Sequence, residues 1–380
     1  MTKRFLSALI FLVLIFSIGF VPQTLAATAK PTPLPKAPPA PVETYATAKV
    51  LSVLAQGEKV TEGQKSPYQK LQIQFLDGPD NGKTITINYG DLVQIRPGQE
   101  VAAGQTVVVL DSSVQNKTTY QIVDNYRLNN LYPIAGLFLL VVFIVIRLKG
   151  VGSIIGLGIS LAIIIFFVIP QILAGQDPLL ASIVGSLFIM VATMYLAHGF
   201  SQKTNIAIIA TSLSLVLTGV LSYLAVHFTF LTGLGSEEAA SLQFGQTGNI
   251  NFQGLLLGGI IIGSLGVLED ITTGVAASIQ ELTRANNRMK FRELIGSGMR
   301  IGGEHIAALV NTLVLAYAGV GLPIFLFVVL NPSHQPLWYI INSEYIMEEI
   351  VRTLAGSIGL ILAVPLTAIF SAWAFHQKTR

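Results

Sequence analysis

Two pairs of residues capable of acid–base chemistry lie beside long apolar runs in the second half of the chain. Glu269 and Asp270 follow the glycine-rich run GLLLGGIIIGSLGVL, and Glu304 and His305 precede IAALVNTLVLAYAGVG. Ionisable groups are costly in hydrocarbon, so those found there usually face a protein interior or a watery cavity. A histidine near a carboxylate can also relay protons close to neutral pH. The sequence therefore predicts a site that handles protons or cations.

Neighbouring polar residues extend both pairs along helical faces. Thr273 follows Asp270 at a spacing of three, and Thr312 follows His305 at a spacing of seven, so each later residue shares a helix face with the earlier one. If both helices have their cytoplasmic ends in this region, Asp270 and His305 can approach each other. The candidate transport or proton-coupling residues are Glu269, Asp270, Thr273, Glu304, His305, Asn311 and Thr312.

Each of these features also has an ordinary structural explanation, and the sequence leaves both open. The apolar span can end at Leu268, in which case the acidic pair marks an interfacial helix terminus. An acid in a first turn can simply complement the helix dipole. Asn311 and Thr312 can form a hydrogen-bonded lock between two helices.

Glycines in the same apolar run predict close helix packing. Two GxxxG spacings are formed by Gly254, Gly258, Gly259 and Gly263. Small residues at this spacing let helix backbones approach closely in membranes. The alternative is a broken helix whose exposed carbonyl groups bind an ion.

The composition is that of an integral membrane protein. Apolar residues make up 52% of the 380 residues and charged residues only 11%, with a mean hydropathy of +0.65. Soluble domains have about 25% charged residues. Lys and Arg cluster in the short loops between apolar runs, so the net charge of +3 does not predict nucleic-acid binding. The absence of cysteine from the sequence excludes disulfides, thiol nucleophiles and thiolate metal sites.

The N-terminal part has two segments before the first folded region. Residues 1–29 have a basic start, an apolar run and small residues, which is typical of a secretory signal peptide. An uncleaved anchor helix is the alternative, because the apolar run is near the lower limit for crossing a membrane. Residues 30–44 are a proline-rich linker.

Residues 45–124 predict a small β-rich domain outside the cytoplasm. Apolar and polar residues alternate in 71–75 and in 85–89, and the turn-forming segment 77–82 joins them as a hairpin. Further short strands are predicted at 93–95, 107–109 and 120–122. We expect a barrel or sandwich without catalytic residues.

Residues 131–380 predict a transmembrane helical domain. Seven apolar runs are long enough to cross a bilayer, at about 132–146, 151–169, 179–197, 206–226, 252–275, 305–330 and 350–375. Lys and Arg occur in alternate connections, whereas 171–177, 227–251 and 331–346 contain neither. This positive-inside pattern predicts a multi-pass protein of the cell membrane with its β-domain outside and its C-terminus in the cytoplasm.

Three segments resemble corresponding segments of the YibE/F family of bacterial multi-pass membrane proteins. They are GSLGVLEDITTGVAASIQEL, GEHIAALVNTLVLAYAG and GSIGLILAVPLTAIF, and the resemblance extends from about Tyr45 to the C-terminus. It implies a permease-like protein of undefined substrate. It also implies that the acidic pair, His305 and the Asn-Thr-Leu triplet from Asn311 are recurring positions. The family more often has Asp-Asp at the acidic pair, and the longer Glu269 side chain disfavours a tight metal site.

The sequence thus predicts an α-helical polytopic membrane protein with a small extracytoplasmic β-rich domain. Its favoured function is a permease or secondary transporter of an ion or small solute, in which intramembrane carboxylates and a histidine couple movement to protons or cations. The alternative is a membrane scaffold or sensor that does not transport and whose β-domain binds a partner. No HExxH, GxSxG or P-loop motif occurs, so we expect neither an enzyme nor a bound cofactor.

The binding partners expected for the protein follow from these hypotheses. The lipid bilayer is the main partner, and the transporter hypothesis adds a small solute or ion. The sequence leaves open a homo-oligomer and does not assign a metal site. No nucleic-acid partner is expected.

Overall fold

The computed structural model describes residues 42–61, 64–91, 94–96, 98–114, 117–244, 250–331 and 334–376. The predicted signal peptide or anchor at 1–29 lies outside the described residues, as does most of the predicted linker at 30–44. The chain divides into two compact units, Met1–Ile134 and Ala135–Arg380.

An antiparallel sheet of five strands forms most of the described part of the first unit. The strands are β1 (Val42–Thr61), β2 (Gln64–Phe75), β3 (Thr84–Tyr89), β4 (Thr106–Val114) and β5 (Lys117–Asn125). Their order in the sheet is β3-β2-β1-β4-β5. The long central strand β1 pairs with both β2 and β4. Its pairing with β2 shifts register twice, and such irregularities bend a strand.

The predicted hairpin is confirmed, whereas one predicted strand is wrong. β2 and β3 pair through Ile73 and Ile85, and the turn between them has positive φ at Gly78 and Gly82, which glycine adopts easily. The described residues of 93–95 are not in a strand. Ile95 is nevertheless buried in the core of the sheet, so its apolar character reflects packing rather than strand pairing.

The two edge strands of the sheet approach each other. The Tyr120 hydroxyl of β5 donates a hydrogen bond to Asp80 in the β2–β3 turn. Lys83, just before β3, lies 3.2 Å from the same hydroxyl and 3.1 Å from Asp80. The described strands therefore form one curled sheet rather than two stacked sheets.

Helices make up the rest of the described chain. They are α1 (Leu128–Ile146), α2 (Leu148–Ile163), α3 (Ile169–Leu173), α4 (Pro178–His198), α5 (Gln202–Phe228), α6 (Glu237–Phe244), α7 (Phe252–Ala285), α8 (Phe291–Val320), α9 (Leu322–Leu330), α10 (Leu337–Ile341) and α11 (Glu344–His376), and a π-helical turn, Ile164–Val168, joins α2 to α3. Seven helical segments of the described residues are long and apolar enough to cross a membrane: Leu128–Ile146, Gly150–Leu173, Pro178–His198, Gln202–Phe228, Phe252–Ala285, Phe291–Val320 and Glu344–His376. This confirms the predicted fold class.

Side-chain caps determine where three of the long helices begin. Asp177, Ser201 and Asn251 precede α4, α5 and α7. Each accepts a hydrogen bond from the backbone N–H three residues later. Such caps satisfy N–H groups that have no partner within the helix. The polar residues between the apolar runs thus fix the helix starts.

The connection between α7 and α8 is shorter than the sequence predicts. Most of the connection that the apolar runs leave at 276–304 is helical, because α7 continues to Ala285 and α8 begins at Phe291. The Glu293 side chain accepts a hydrogen bond from the Lys290 backbone N–H at 2.8 Å and stabilises the start of α8. Charged residues lengthen these helices beyond their apolar parts.

The predicted span at 305–330 is not one helix. α8 ends at Val320 and α9 begins at Leu322. Pro323 lies in the first turn of α9, where it has no N–H to continue the hydrogen-bond ladder of α8. The apolar run therefore contains a helix break.

Three helices form the centre of the helical unit. α5, α7 and α11 pack against one another. A Cβ at Gly359 of α11 would overlap the Thr218 side chain of α5, so the two backbones lie close together. The hydroxyls of Thr211 on α5 and Thr272 on α7 form a 2.6 Å hydrogen bond. Small residues and hydroxyl bonds hold this centre together, as in other membrane bundles.

The remaining long helices lie around this centre. α4 packs on α7, α2 packs on α4, and α8 packs on α7 and α11. Gly298 and Gly302 of α8 lie beside Ile279 and Val275 of α7, respectively, so α7 and α8 run antiparallel. The described side chains of α1 and α9 include none that is buried. Those two helices are free to contact lipid or another protein.

Candidate functional site

The acidic pair lies in the middle of an unbroken helix. α7 has 34 residues, and Glu269 is about halfway between Phe252 and Ala285. At about 1.5 Å per residue, the helix is roughly 50 Å long. A hydrocarbon core of about 30 Å centred on α7 would include both carboxylates. The helix does not end at Leu268, so the acidic pair does not mark a helix terminus.

Glu269 is held by one side chain of a neighbouring helix. Its partly buried carboxylate oxygens Oε1 and Oε2 lie 2.9 Å and 3.1 Å from the Thr193 hydroxyl of α4. The same hydroxyl is 2.8 Å from the Ile189 carbonyl oxygen. Thr193 was not among the sequence-based candidates, since a contact across 76 residues leaves no local spacing in the sequence.

Asp270 is more exposed than Glu269 and has fewer partners. Among the described residues, none donates a hydrogen bond to its carboxylate. His198, at the end of α4, interacts with it electrostatically. The Thr273 hydroxyl contacts the backbone carbonyl oxygens of Glu269 and Asp270, at 2.8 Å and 3.2 Å, rather than a carboxylate. Asp270 therefore keeps acceptor positions free.

The first two glycines of α7 pack against α4. Gly254 and Gly258 are buried. A Cβ at Gly254 would lie 3.2 Å from Cδ of Pro178, and one at Gly258 would overlap the Ser182 hydroxyl. These two positions therefore make the close helix contact that small residues permit.

Further along α7, the glycines have open surroundings. We call this set the open glycine face: Gly259, Gly263, Gly266 and Gly274. A Cβ at Gly263 would have the Tyr317 hydroxyl of α8 at 3.9 Å, and at the other three positions it would meet no described atom within 4 Å. Asp270 lies in this row, four residues from Gly266 and from Gly274. Helix spacing thus places one carboxylate on an exposed face that small residues leave unobstructed.

The second predicted group lies on the exposed side of α8. All four of its members are exposed: Glu304, His305, Asn311 and Thr312. The Thr312 hydroxyl donates to the Ala308 carbonyl oxygen of its own helix at 2.9 Å. Within the described chain, no hydrogen bond or ion pair joins His305 to Asp270. Neither the relay contact nor the helix lock is present, and the role of these residues in transport stays a prediction.

The described residues do not contain a ready-made metal centre. No cluster of three or more His, Asp or Glu side chains among them could hold a metal ion. Glu269 and Asp270 are adjacent in sequence but face different surroundings: the first faces α4 and the second lies on the open glycine face. One proton or a weakly held cation fits this arrangement better than a tightly ligated metal.

A different acidic pair at the start of α11 binds the loop after α5. Glu344 accepts hydrogen bonds from the Thr232 backbone N–H and hydroxyl, both at 2.6 Å, and from the Gly233 N–H at 3.0 Å. The buried Glu348 accepts the Gly235 N–H at 3.0 Å. These carboxylates clamp the loop to α11. Sequence spacing did not reveal this clamp.

The clamped loop forms one wall of an open cavity of about 550 Å³. The end of α5 and the start of α7 form the remaining walls. Gln253 of α7 donates a hydrogen bond to the Leu231 carbonyl oxygen across this cavity wall at 2.8 Å. The lining residues include no Asp, Glu, Lys or Arg, so the cavity is separate from both acidic pairs.

Comparisons with known proteins identify one family. The family model described as YibE/F-like protein matches residues 134–377, which is more than half of the chain. The match covers the helical unit, and the β-strands lie outside it. No curated protein and no solved structure is detectably similar to the chain.

Proposed function

The chain belongs to the YibE/F-like protein family, and we propose that it is a permease or secondary transporter of an ion or small solute. One observation carries the proposal: Glu269 and Asp270 lie in the middle of a helix that is long and apolar enough to cross a membrane. Ionisable residues at such positions are expensive, and they commonly serve ion pathways or proton relays.

The incomplete bonding of the two acids indicates what they would bind. Glu269 has one hydroxyl partner, and Asp270 has no hydrogen-bond donor among the described residues. Carboxylate oxygens accept protons and bind hard cations such as Ca²⁺ or Mg²⁺. The open glycine face gives a solute or water access to Asp270. Neutralisation of the pair by a proton or cation would then be coupled to movement of the solute, without a covalent reaction.

The proposed orientation places the β-domain outside the cytoplasm and the C-terminus inside it. The connection between α7 and α8 contains Arg288 and Lys290, with Arg284 and Arg292 beside it. The segment 229–251, between α5 and α7, contains no Lys or Arg. Short loops rich in Lys and Arg remain in the cytoplasm. The ends of α7 are thereby assigned to opposite sides of the membrane.

A vesicle assay tests the proposed coupling. Ions and small solutes that raise the unfolding temperature of the purified protein are selected first, and each is then imposed as a gradient across vesicles that contain a pH-sensitive dye. We expect at least one gradient to drive proton movement, and Glu269→Gln to abolish it. Glu281→Gln is the matched control, because Glu281 lies on the same helix but is exposed and paired with Arg284 at 2.7 Å. Absence of proton movement under every gradient would contradict the proposed coupling to protons.

A membrane scaffold or sensor is the second candidate function. The exposed Glu304 and His305 on α8 favour it, because such side chains need a protein or water partner inside a membrane. On this hypothesis the β-domain binds a partner and the polar helix residues hold an assembly together. Light scattering of the purified protein would then show dissociation in His305→Gln, while the vesicle assay would show no flux in any variant.

A further inference from the structure

The contact between Glu269 and Thr193 offers more acceptors than hydrogens. The Thr193 hydroxyl carries one hydrogen. Glu269 Oε1, at 2.9 Å, and the Ile189 carbonyl oxygen, at 2.8 Å, both lie within hydrogen-bonding distance of it. Thr193 can therefore donate fully to only one of them at a time. The choice depends on whether Glu269 itself carries a proton.

The same heavy-atom positions suit both forms of Glu269. An ionised carboxylate is an acceptor only and takes the Thr193 hydrogen. A protonated carboxyl group is a donor, and it can give its hydrogen to the Thr193 oxygen while Thr193 donates to Ile189. The proton on Glu269 can thus come and go without a shift of α4 or α7.

Packing against α2 orients the Thr193 side chain. A Cβ at the buried Gly156 of α2 would lie 3.6 Å from Cγ2 of Thr193, so Gly156 leaves room for that methyl group. With the methyl group beside α2, the hydroxyl is directed to Glu269 on α7. Valine at position 193 would keep the methyl contact and put a second methyl group in place of the hydroxyl.

The other titratable groups near this contact include Tyr195 of α4, whose hydroxyl donates a hydrogen bond to Asn205 at 2.9 Å. Asp270 acts on Glu269 from the same helix, and His198 acts on Asp270 from α4. α8, which also packs on α7, carries the exposed Arg300, Glu304 and His305 and the partly buried Tyr317. The central segments of α2, α5 and α11 contain no titratable residue: 151–163, 204–219 and 353–372.

From this geometry we infer that Thr193 is the positioning residue that lets Glu269 bind and release a proton within the helical unit. The inference rests on the proposed proton coupling at Glu269 and adds the residue that accommodates both charge states. Thr193 itself neither gains nor loses a proton. It exchanges one hydrogen-bond acceptor for another as Glu269 titrates.

Infrared difference spectroscopy of the full chain in lipid nanodiscs tests the inference without a transported solute. Spectra between alkaline and acidic buffer are compared for the wild type, Glu269→Gln, Thr193→Val and Thr193→Ser. The carboxylic-acid C=O band that Glu269→Gln removes is assigned to Glu269. We expect Thr193→Ser to keep this band in place. Thr193→Val should move it to higher wavenumber, because the protonated carboxyl group has lost its hydrogen-bond partner.

The outcomes separate this inference from the transport proposal. Thr193→Ala is a second variant without the hydroxyl, to be used if Thr193→Val does not insert and fold. An unchanged band in the hydroxyl-free variant overturns the role of Thr193, even if the wild type shows proton flux. A band that responds to Thr193 in a protein without flux supports the inference and overturns transport. If no band is assigned to Glu269 at any pH, the inference and the proton coupling on which it rests are both wrong.

Discussion

Glu344 and Glu348 at the start of α11 are bound by a loop, whereas Glu269 and Asp270 in the middle of α7 are largely unbound. The first pair accepts hydrogen bonds from backbone N–H groups in the segment 232–235. It also lies in the first turns of its helix, where the dipole favours negative charge. The second pair has one hydroxyl partner, on Glu269, and lies far from either helix end.

This difference separates acids that hold the fold from acids that are available for chemistry. Removing a carboxylate that accepts several N–H groups leaves those donors unpaired, which costs stability. A carboxylate with free acceptor positions can gain a proton or cation while its neighbours stay in place. The number of donors around a carboxylate therefore predicts whether its loss affects folding or function.

The comparison requires the acidic pair of α7 to lie within the membrane and that of α11 to lie near its outer surface. A topology assay with reporter fusions, each of which reads either inside or outside, tests this. Reporter fusions after five residues should read outside, inside, outside, inside and inside: Ile122, Lys203, Gly235, Lys290 and Arg380. The expectation follows from the distribution of Lys and Arg between the connections. An outside reading after Gly235 assigns the loop bound by Glu344 to the outer surface. A cytoplasmic reading after Ile122 would reverse the whole scheme.

The largest stability effect is expected at the bound pair. Glu344→Ala removes the acceptor of two backbone N–H groups and one hydroxyl, so we expect a loss of about 2 kcal/mol in the free energy of unfolding. Denaturant unfolding of the intact protein in detergent measures it. Glu237→Ala is the matched control, because Glu237 is an exposed acid in the first turn of α6. Equal effects of the two substitutions would remove the distinction between the pairs.

A smaller effect is expected from combining substitutions on α7 and α8. Within the described part of the chain, no hydrogen bond or ion pair joins Asp270 to His305. Substitutions at residues without a shared partner usually change stability independently of each other. The changes in unfolding free energy caused by Asp270→Asn and His305→Gln should therefore add to within about 0.5 kcal/mol. A clear departure from additivity would show that the two side chains do interact, as the sequence spacing allows.

The smallest effect on stability is expected at Asp80, an acid of the β-domain rather than of the helical unit. In the β-domain, the hydrogen bond from Tyr120, and then that from Lys83, hold the pKa of Asp80 below its usual value of 3.8. A lowered pKa in the folded state contributes stability above the unfolded value, and this contribution is lost as the pH falls through the folded value. The contribution is therefore complete at neutral pH, begins to decrease near the unfolded value of 3.8 and is lost only below the lower folded-state pKa.

Tyr120→Phe removes the main cause of this pH dependence. We expect the segment 42–127, expressed alone, to fold into a β-rich unit and to melt at a lower temperature at pH 3 than at pH 7. The difference between the two pH values should be smaller in Tyr120→Phe, as followed by circular dichroism. An isolated segment without a cooperative transition would contradict the assignment of an independent domain, and an unchanged pH dependence would contradict the role of Tyr120.

Local patterns predicted the fold well. The seven spans follow from the lengths of apolar runs, and the β2–β3 hairpin follows from alternation around the turn at 77–82. Helix bounds were less predictable, because Glu281, Arg284 and Arg292 leave the apolar pattern although all three are helical. The break before Leu322 was hidden for the opposite reason, since the residues on both sides are apolar.

The sequence patterns did not predict which side chains of different helices and loops contact each other. Glu348 and Arg352 are four residues apart, a spacing that predicts an ion pair on a helix. In the structure, Arg352 lies 3.6 Å from Glu349, and Glu348 accepts a loop N–H instead. Likewise, the acidity of residues 269 and 270 was visible in the sequence. The Thr193 hydroxyl beside Glu269 depends on how α4 packs against α7.

The most direct test of the comparison is proton flux per folded molecule in two variants measured side by side. Glu269→Gln and Glu348→Gln are reconstituted separately in vesicles of the same lipid composition. The initial flux of each is normalised to the amount of correctly inserted protein. We predict that Glu269→Gln inserts normally and has no flux above protein-free vesicles. Glu348→Gln should yield less folded protein but keep the wild-type flux per molecule. Full flux in Glu269→Gln, or loss of flux in Glu348→Gln alone, would show that the unbound pair is not the working site.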